Sequence, residues 1–404
     1  MSSSPFILFL SARALVSLSV TMLSVAIGWH IYQITGNPFD LALVGLVQVA
    51  PALMFFIVIG MIVDHLPRKT VLLVCVIIEA LLLASIASAM HADQVDTSLV
   101  FTLLFAHGAV MALFKPASDS ILPSLLPPER LQRGIALSMT VLNVALTSGP
   151  FIAGFLLAWI DRQLYWVMVA LLLLAASGFS FLPRLVHLKP TGRGMDQVLG
   201  GLRFIWKSPQ VLGSISLDLF IVLLGSVVAL LPVYATDILK VGPDALGFMR
   251  GMPALGAAVV GVTMARLPEL RASGLTLFLA LLIFATSIFV FAFSTALWLS
   301  LLALFIYGAS DMISVNVRST LVLLATPESL RGRVTAVNSL FITASNQLGD
   351  FRAGSVAAFL SPVATVAVGG LCALGVAVGG YYLFPSIRKL DRLSDAKASD
   401  KVVA

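Results

Sequence analysis

Apolar residues arrive along this chain in long runs, each closed by a short polar stretch, from one end of the sequence to the other. A run of about 20 apolar residues, as a helix, matches the roughly 30 Å hydrocarbon layer of a bilayer, so each predicts a membrane-crossing helix. Twelve spans are predicted, at about 5–33, 40–63, 70–91, 98–118, 131–158, 163–184, 210–233, 242–266, 272–294, 296–322, 331–360 and 362–385. The stretch from Pro5 to Gly36 is too long for a signal peptide and lacks its charged start and small-residue cleavage site. It is expected to stay as the first span, and the chain reads as complete.

Composition agrees. Of 404 residues, 59% are hydrophobic and 11% charged, against about 25% charged in a soluble domain. No water-facing surface can be built from that. Cys75 and Cys372 lie inside apolar runs, which excludes a disulfide framework or thiolate metal site. There is no Gly-x-x-x-x-Gly-Lys loop to cradle phosphate, and the five histidines lack metal-ligand spacing. No enzyme, cofactor or metal is expected.

Basic residues orient the spans. Arg68 and Lys69 follow span two, Arg130 and Arg133 span four, and Arg184, Lys189, Arg193, Arg203 and Lys207 span six. The alternate loops carry Asp40, Asp93, Asp96, Asp161, Asp237 and Asp244, with Arg162 and Lys240. By the positive-inside rule both termini are cytoplasmic, and the net charge of +6 reads as membrane anchoring, not nucleic-acid binding. Trp29, Tyr32 and Trp159 fall near outer boundaries, where amphipathic rings favour the interface.

The chain also resembles itself at an offset near 200. Gly149-Pro150-Phe151-Ile152-Ala153-Gly154 meets Gly349-Asp350-Phe351-Arg352-Ala353-Gly354, Gly108-Ala109 meets Gly308-Ala309, and Pro128-Glu129-x-Leu131 meets Pro327-Glu328-x-Leu330. Gly45 and Pro51-Ala52-Leu53 meet Gly247 and Pro253-Ala254-Leu255. Six spans per copy give both copies the same orientation, so an all-α integral membrane fold of two six-helix bundles is expected, related by a pseudo-twofold axis along the membrane normal. The expected parts are an N-terminal bundle at 1–184, a cytoplasmic linker with an interfacial helix at 185–209, a C-terminal bundle at 210–386 and a tail at 387–404. Such duplication is expected to place a cavity between the halves.

After span two stands Gly60-Met61-Ile62-Val63-Asp64-His65-Leu66-Pro67-Arg68-Lys69. This resembles the signature loop of the major facilitator superfamily, Gly-x-x-x-Asp-Arg-x-x-Arg-Arg/Lys, with His65 in place of arginine. The resemblance implies that Gly60 lets helices approach, that Asp64 latches the cytoplasmic seam, and that Arg68 and Lys69 hold the headgroup side; His65 would weaken the latch or make it pH-sensitive. Gly149-Pro150-x-x-Ala153-Gly154 is similar to the glycine-proline motif of the superfamily's antiporters, which favours export. The runs Trp29-x-x-Tyr32-Gln33-x-Thr35-Gly36, Gly308-Ala309-Ser310-Asp311-Met312 and Thr326-Pro327-Glu328-x-Leu330-Arg331-Gly332-Arg333-Val334 look like the bacterial branch that includes enterobactin exporters. Span four has His107-Gly108 where proton-coupled drug antiporters of the superfamily carry a buried arginine before glycine.

Charges inside a bilayer cost roughly 2.5–3.5 kcal/mol each on insertion scales, so they are expected to face a cavity or a partner. Arg13, Glu79, Lys115, Asp218, Asp311, Arg318, Asp350 and Arg352 are such residues. Asp218 and Asp311 are expected to exchange a proton with the cavity, the competing reading being a permanent ion pair with Arg13 or Arg318. Glu79 is expected to be structural or lipid-facing, and Lys115 to pair with Asp119 four residues on. Arg13, Arg318, Asn316, Asn346, Gln347, Arg352 and Met312 are the candidate cavity residues, a mixed set that suits an amphipathic organic substrate.

The expected function is a proton-coupled secondary exporter of an amphipathic small molecule, siderophore or drug-like, working by alternating access as a monomer in a bacterial inner membrane. Its partners would be substrate, protons and lipid. An importer or facilitator on the same fold, or a sensor that transports nothing, are the alternatives.

Overall fold

The computed structural model describes residues 4–55, 58–59, 62, 65–92, 95–183, 194–266 and 272–395, and every regular element among them is a helix. Gly60 and Asp64 of the signature loop lie outside the described residues, as do Arg184, Lys189 and Arg193. The main helices are α1 (Ser4–Thr35), α2 (Pro38–Met54), α3 (Arg68–Met90), α4 (Thr97–Leu125), α5 (Pro128–Ile160), α6 (Leu164–Ser180) and α7 (Gly194–Lys207). They continue with α8 (Pro209–Gly225), α9 (Pro243–Arg266), α10 (Ser273–Phe293), α11 (Leu297–Ala325), α12 (Glu328–Ala357) and α13 (Pro362–Leu383).

The starts are encoded locally. Proline opens α2, α5, α8, α9 and α13, where its missing N–H is no loss. Asn37 caps α2 by accepting from the Phe39 N–H, and Asp96 caps α4 by accepting from Ser98 and Leu99. Pro51, Pro116, Pro123, Pro150 and Pro253 sit inside helices, as membrane helices tolerate when neighbours satisfy the freed carbonyls.

Among the described residues, nine helical stretches are long and apolar enough to cross a membrane, the longest, Glu129–Ser180, comprising both α5 and α6. Large apolar side chains stand on their outsides, Leu81 62% and Leu371 60% exposed, as lipid rather than water as solvent requires. Trp159 is exposed, whereas Trp29 and Tyr32 are buried in the protein.

The chain divides into two compact units, residues 1–191 with 240–251, and 192–239 with 252–404. In the first unit α1 packs on α5 and α6, α3 on α4 and α6, and α2 on α4. The second unit repeats that scheme: α8 packs on α12 and α13, and α10 on α11 and α13. Paired glycines explain part of the likeness. A Cβ on Gly108 of α4 would clash with the Gln48 carbonyl of α2, and one on Gly308 of α11 would clash with the Pro253 carbonyl of α9. These two positions are 200 residues apart.

Two features depart from expectation. Span seven is broken: α8 stops at Gly225, Ser226 is extended, Ser226 and Val227 lie outside any helix, and the chain resumes through a 3-10 turn, Val228–Leu230, and a π turn, Tyr234–Ile238. And α7, read from its apolar spacing as an interfacial helix, has that side taken up by protein. Phe204 and Ile205 are buried with Val211, Ile215, Val322, Val334 and Val337 of α8, α11 and α12, leaving Arg203, Trp206 and Lys207 outward.

Candidate functional site

Three helices of the second unit bring polar residues to one cleft. On α8, Ser214, Asp218 and Val222 succeed one another at intervals of four; on α12, Asn338, Ile342 and Asn346 do the same. On α11 the lining is Asp311, Val315, Ser319 and Val322, with Arg318 between. Positions four apart share a helix face, so each helix turns one stripe to the cleft. The cleft holds about 490 Å³ of empty space, its open mouth included.

Charge is concentrated at its wall. Arg318 is buried and in contact with Asp218, while Asp311 stands 3.6 Å from its second terminal nitrogen. Arg318 Nε donates to the Ser314 carbonyl at 3.2 Å, but neither terminal nitrogen makes an aligned hydrogen bond. One guanidinium therefore serves two carboxylates. Asp218 and Asp311, predicted as proton carriers, thus share one cation, and Arg318 rather than Arg13 is their partner.

Arg13 belongs to a cluster in the first unit. It donates to Asp119 Oδ1 at 2.5 Å and to Ser138 Oγ at 3.3 Å, joining α1, α4 and α5. Asp119 therefore pairs with Arg13 106 residues away, not with Lys115 four residues away on its own helix, and Lys115 is exposed. Two hundred residues on from Asp119 and Ser138 are Ser319 and Asn338, both in the cleft. The two clusters occupy corresponding places in the repeat.

Of the other cavity candidates, Asn346 lines the cleft, while Asn316, Gln347, Met312 and Arg352 are off its lining. Met312 is turned toward Gly261 of α9. Arg352 serves the break in span seven: its guanidinium donates to the Leu223 carbonyl at 3.0 Å and the Ser226 carbonyl at 3.4 Å, while Asp350 accepts from Ser226 Oγ at 2.5 Å. A helix end leaves carbonyls without partners, and Arg352 supplies them. Ser214, Ser319 and Asn338 were missed by sequence reasoning; one turn from Asp218 reaches Ser214, and two turns from Asp311 and Asn346 reach Ser319 and Asn338.

The motif residues within the described part act on backbone. Arg68 donates to the Ser120 carbonyl near the end of α4 at 2.6 Å, and Lys69 donates to the Ser180 carbonyl at 2.7 Å and to that of Leu182 at the end of α6. These cations meet carbonyls near helix C-termini, where the dipole favours them. His65 is exposed. Gly149 lies against Thr21 of α1, a Cβ on Gly154 would stand 2.5 Å from the Gly247 Cα, and one on Gly247 would stand 2.7 Å from the Pro150 carbonyl oxygen. The Gly149, Pro150 and Gly154 motif is a site of close backbone approach.

Glu79 faces neither lipid nor water. It is 1% exposed and holds His107 Nδ1 at 2.6 Å, the histidine itself 3% exposed. Among the described residues no three or more His, Cys, Asp or Glu side chains come together as a metal site.

These features have relatives. The sequence matches the family model described as Major Facilitator Superfamily over residues 9–349. It is 25% identical over 380 residues to the enterobactin exporter EntS of Shigella boydii, covering 91% of this chain and 88% of the relative, and likewise to EntS of Escherichia coli. A bacterial homologue of the iron transporter ferroportin, solved inward-facing, superposes with a TM-score of 0.72 at 16% identity, covering 96% of this chain and all of that one. A POT family transporter solved with 5-aminolevulinic acid gives 0.73 at 12% identity, covering 95% and 96%. A match across most of the sequence and an all-helical, multi-pass fold shared with transporters lead to one conclusion: this chain belongs to the Major Facilitator Superfamily and is a membrane transport protein, not an enzyme.

Proposed function

We propose that this protein exports an amphipathic small molecule of the siderophore class from the bacterial cytoplasm, exchanging it for protons by alternating access. The observation that carries the reading is the Asp218–Arg318–Asp311 cluster at the wall of the cleft. Charges this costly inside membrane helices are kept where they handle a ligand or an ion. Serines and asparagines beside Val222, Val315, Val322 and Ile342 suit a substrate with both hydrogen-bonding and apolar faces. Export, and a siderophore as cargo, rest on the relatives named enterobactin exporter.

The layout we propose is twelve transmembrane helices. The nine apolar stretches reach that number once Glu129–Ser180 is counted as α5 and α6, α2 is added although short, and α12 is added although polar. The duplicated packing scheme supports two six-helix bundles, and the basic loops support cytoplasmic termini in an inner membrane. The protein acts as a monomer.

The coupling step runs through the shared guanidinium. Exchange requires proton and substrate to occupy the cluster alternately: a substrate donor that binds the Asp218 or Asp311 carboxylate favours its ionised form beside Arg318 and expels the proton to water, and departure of the substrate on the far side lets a proton from water take its place. The test uses sealed proteoliposomes holding a pH-sensitive dye, with enterobactin or a lipophilic cation added. Substrate-driven proton movement that is lost in Asp218→Asn or Asp311→Asn supports the reading. Substrate crossing with no proton signal refutes antiport, and no crossing of either probe refutes the substrate class.

A further inference from the structure

The first unit contains a titratable pair that this mechanism leaves unused. Glu79 lies midway along α3, eleven residues from Arg68 and eleven from Met90, and meets His107 of α4 at 2.6 Å. Both side chains are almost wholly buried, and the second carboxylate oxygen, Glu79 Oε2, is buried with no hydrogen-bond partner. A bare carboxylate oxygen in such a place is costly, because nothing replaces the water it has lost.

Among the described residues, the helices around the pair bring no cation to offset it. On α3 itself the nearest ionisable residue is Cys75, a buried thiol one turn away, and Arg68 and Lys69 are committed to carbonyls at the far ends of α4 and α6. On α4, Lys115 is exposed two turns beyond His107, and Asp119 is held by Arg13 of α1. The only ionisable side chain of α6 is Tyr165, which meets His30 of α1 at 3.0 Å; that histidine also meets Asp161 in the turn before α6, while Arg162 of that turn donates to the Met90 carbonyl. The one such residue of α2 is Asp40, in its first turn.

With Glu79 ionised and His107 neutral, the pair is a lone buried anion. One added proton makes it neutral overall, whether it sits on the carboxyl or makes an imidazolium paired with carboxylate. A buried neutral pair is far less costly than a buried net charge, whereas in water the difference vanishes. Its proton affinity therefore depends on whether α3 and α4 keep water out.

We propose that Glu79 and His107 form a second proton-binding site, which takes up one proton when the pair is buried as seen here and returns it to water when the flanking helices open. Resting on the antiport reading, the proposal adds a proton carrier in the first unit to the carboxylates of the second. The contrast is chemical: Asp218 and Asp311 share a permanent cation, whereas Glu79 has only a partner that is charged when a proton is bound.

The test is infrared difference spectroscopy, acid minus alkaline buffer, on the purified full chain in lipid nanodiscs. The unmodified protein is expected to show a carboxyl change and an imidazole change that titrate together. Glu79→Gln and His107→Gln are each expected to abolish both, and Cys75→Ser to keep both. A buried carboxyl signal that survives Glu79→Gln, or a histidine signal indifferent to it, overturns the proposal. Should the Gln variants fail to fold, Glu79→Asp must carry the paired signal at a displaced pH; an undisplaced signal overturns it. In proteoliposomes with enterobactin as the probe, Glu79→Gln is expected to move fewer than half as many protons per molecule carried, and an unchanged ratio overturns the coupling role. If the unmodified protein does not carry enterobactin, the substrate assignment falls while the infrared result still decides on the pair.

Discussion

Replacing Arg318 by methionine leaves two carboxylates at the cleft wall with no cation between them. Removing one partner of a buried ion pair costs about 3–5 kcal/mol, mostly for the charge left behind. Asp218 is in contact with Arg318 and buried; Asp311 is 3.6 Å away with a side chain 36% exposed. The three single variants should therefore separate. Asp311→Asn is expected to cost under about 1 kcal/mol, as for an exposed pair. Asp218→Asn should cost about 3 kcal/mol, the low end for a buried pair, because Asp311 still faces the guanidinium. Arg318→Met should cost about 5 kcal/mol, and adding Asp218→Asn should recover about 2 kcal/mol by removing the most buried orphan. The assay is the fraction of monodisperse protein remaining after heating in one detergent, read as a ranking of midpoints because such unfolding is irreversible. Asp311→Asn falling as far as Asp218→Asn, or Arg318→Met matching the unmodified protein, would refute the reasoning.

Other expectations follow from contacts already described. Gly154→Leu puts a side chain where even a Cβ is 2.5 Å from the Gly247 backbone; folded yield after purification should fall sharply, while Gly332→Ala, with open space around it, should leave yield unchanged. Arg352→Leu strips donors from the Leu223 and Ser226 carbonyls and should cost about 1–3 kcal/mol in thermal midpoint, partly restored by Lys. Phe204→Ala should cost about 3 kcal/mol through the cavity it leaves, whereas the exposed Arg203→Ala should cost almost nothing.

Most helices were legible because the 20-residue apolar period is set by the bilayer and survives any tertiary context. The repeat was legible because glycine at 108 and 308 is required by backbone contact, and such positions admit no other residue. Partnerships were not. Asp119 has a cation four residues before it and uses one 106 residues before it, since the local spacing permits a pair but packing puts Arg13 closer. Glu79 and His107 sit 28 residues apart on adjacent helices, and hydropathy assigns each a depth without saying that both turn inward to each other. The break after Gly225 carries no proline until Pro232, so its cause is not local: it is held by Asp350 and Arg352 from another helix. The polarity of α12, which hides it from a hydropathy criterion, follows from the same roles, its asparagines lining a cleft and its arginine closing a helix end.

The burial of α7 has a consequence for how the chain is made. Phe204 and Ile205 pack on Val334 and Val337, some 130 residues downstream, and on Val322. During synthesis those partners leave the ribosome well after α7, so for most of that interval the apolar side of α7 has only α8 to cover it. An amphipathic helix in that position rests on the membrane surface, with Arg203 and Lys207 toward the lipid headgroups, until α11 and α12 are inserted. The interfacial helix that the sequence predicts is thus expected as a stage of assembly, with docking of α7 a late step. A chain truncated before residue 322 should leave that helix on the bilayer, open to proteases that the finished protein resists.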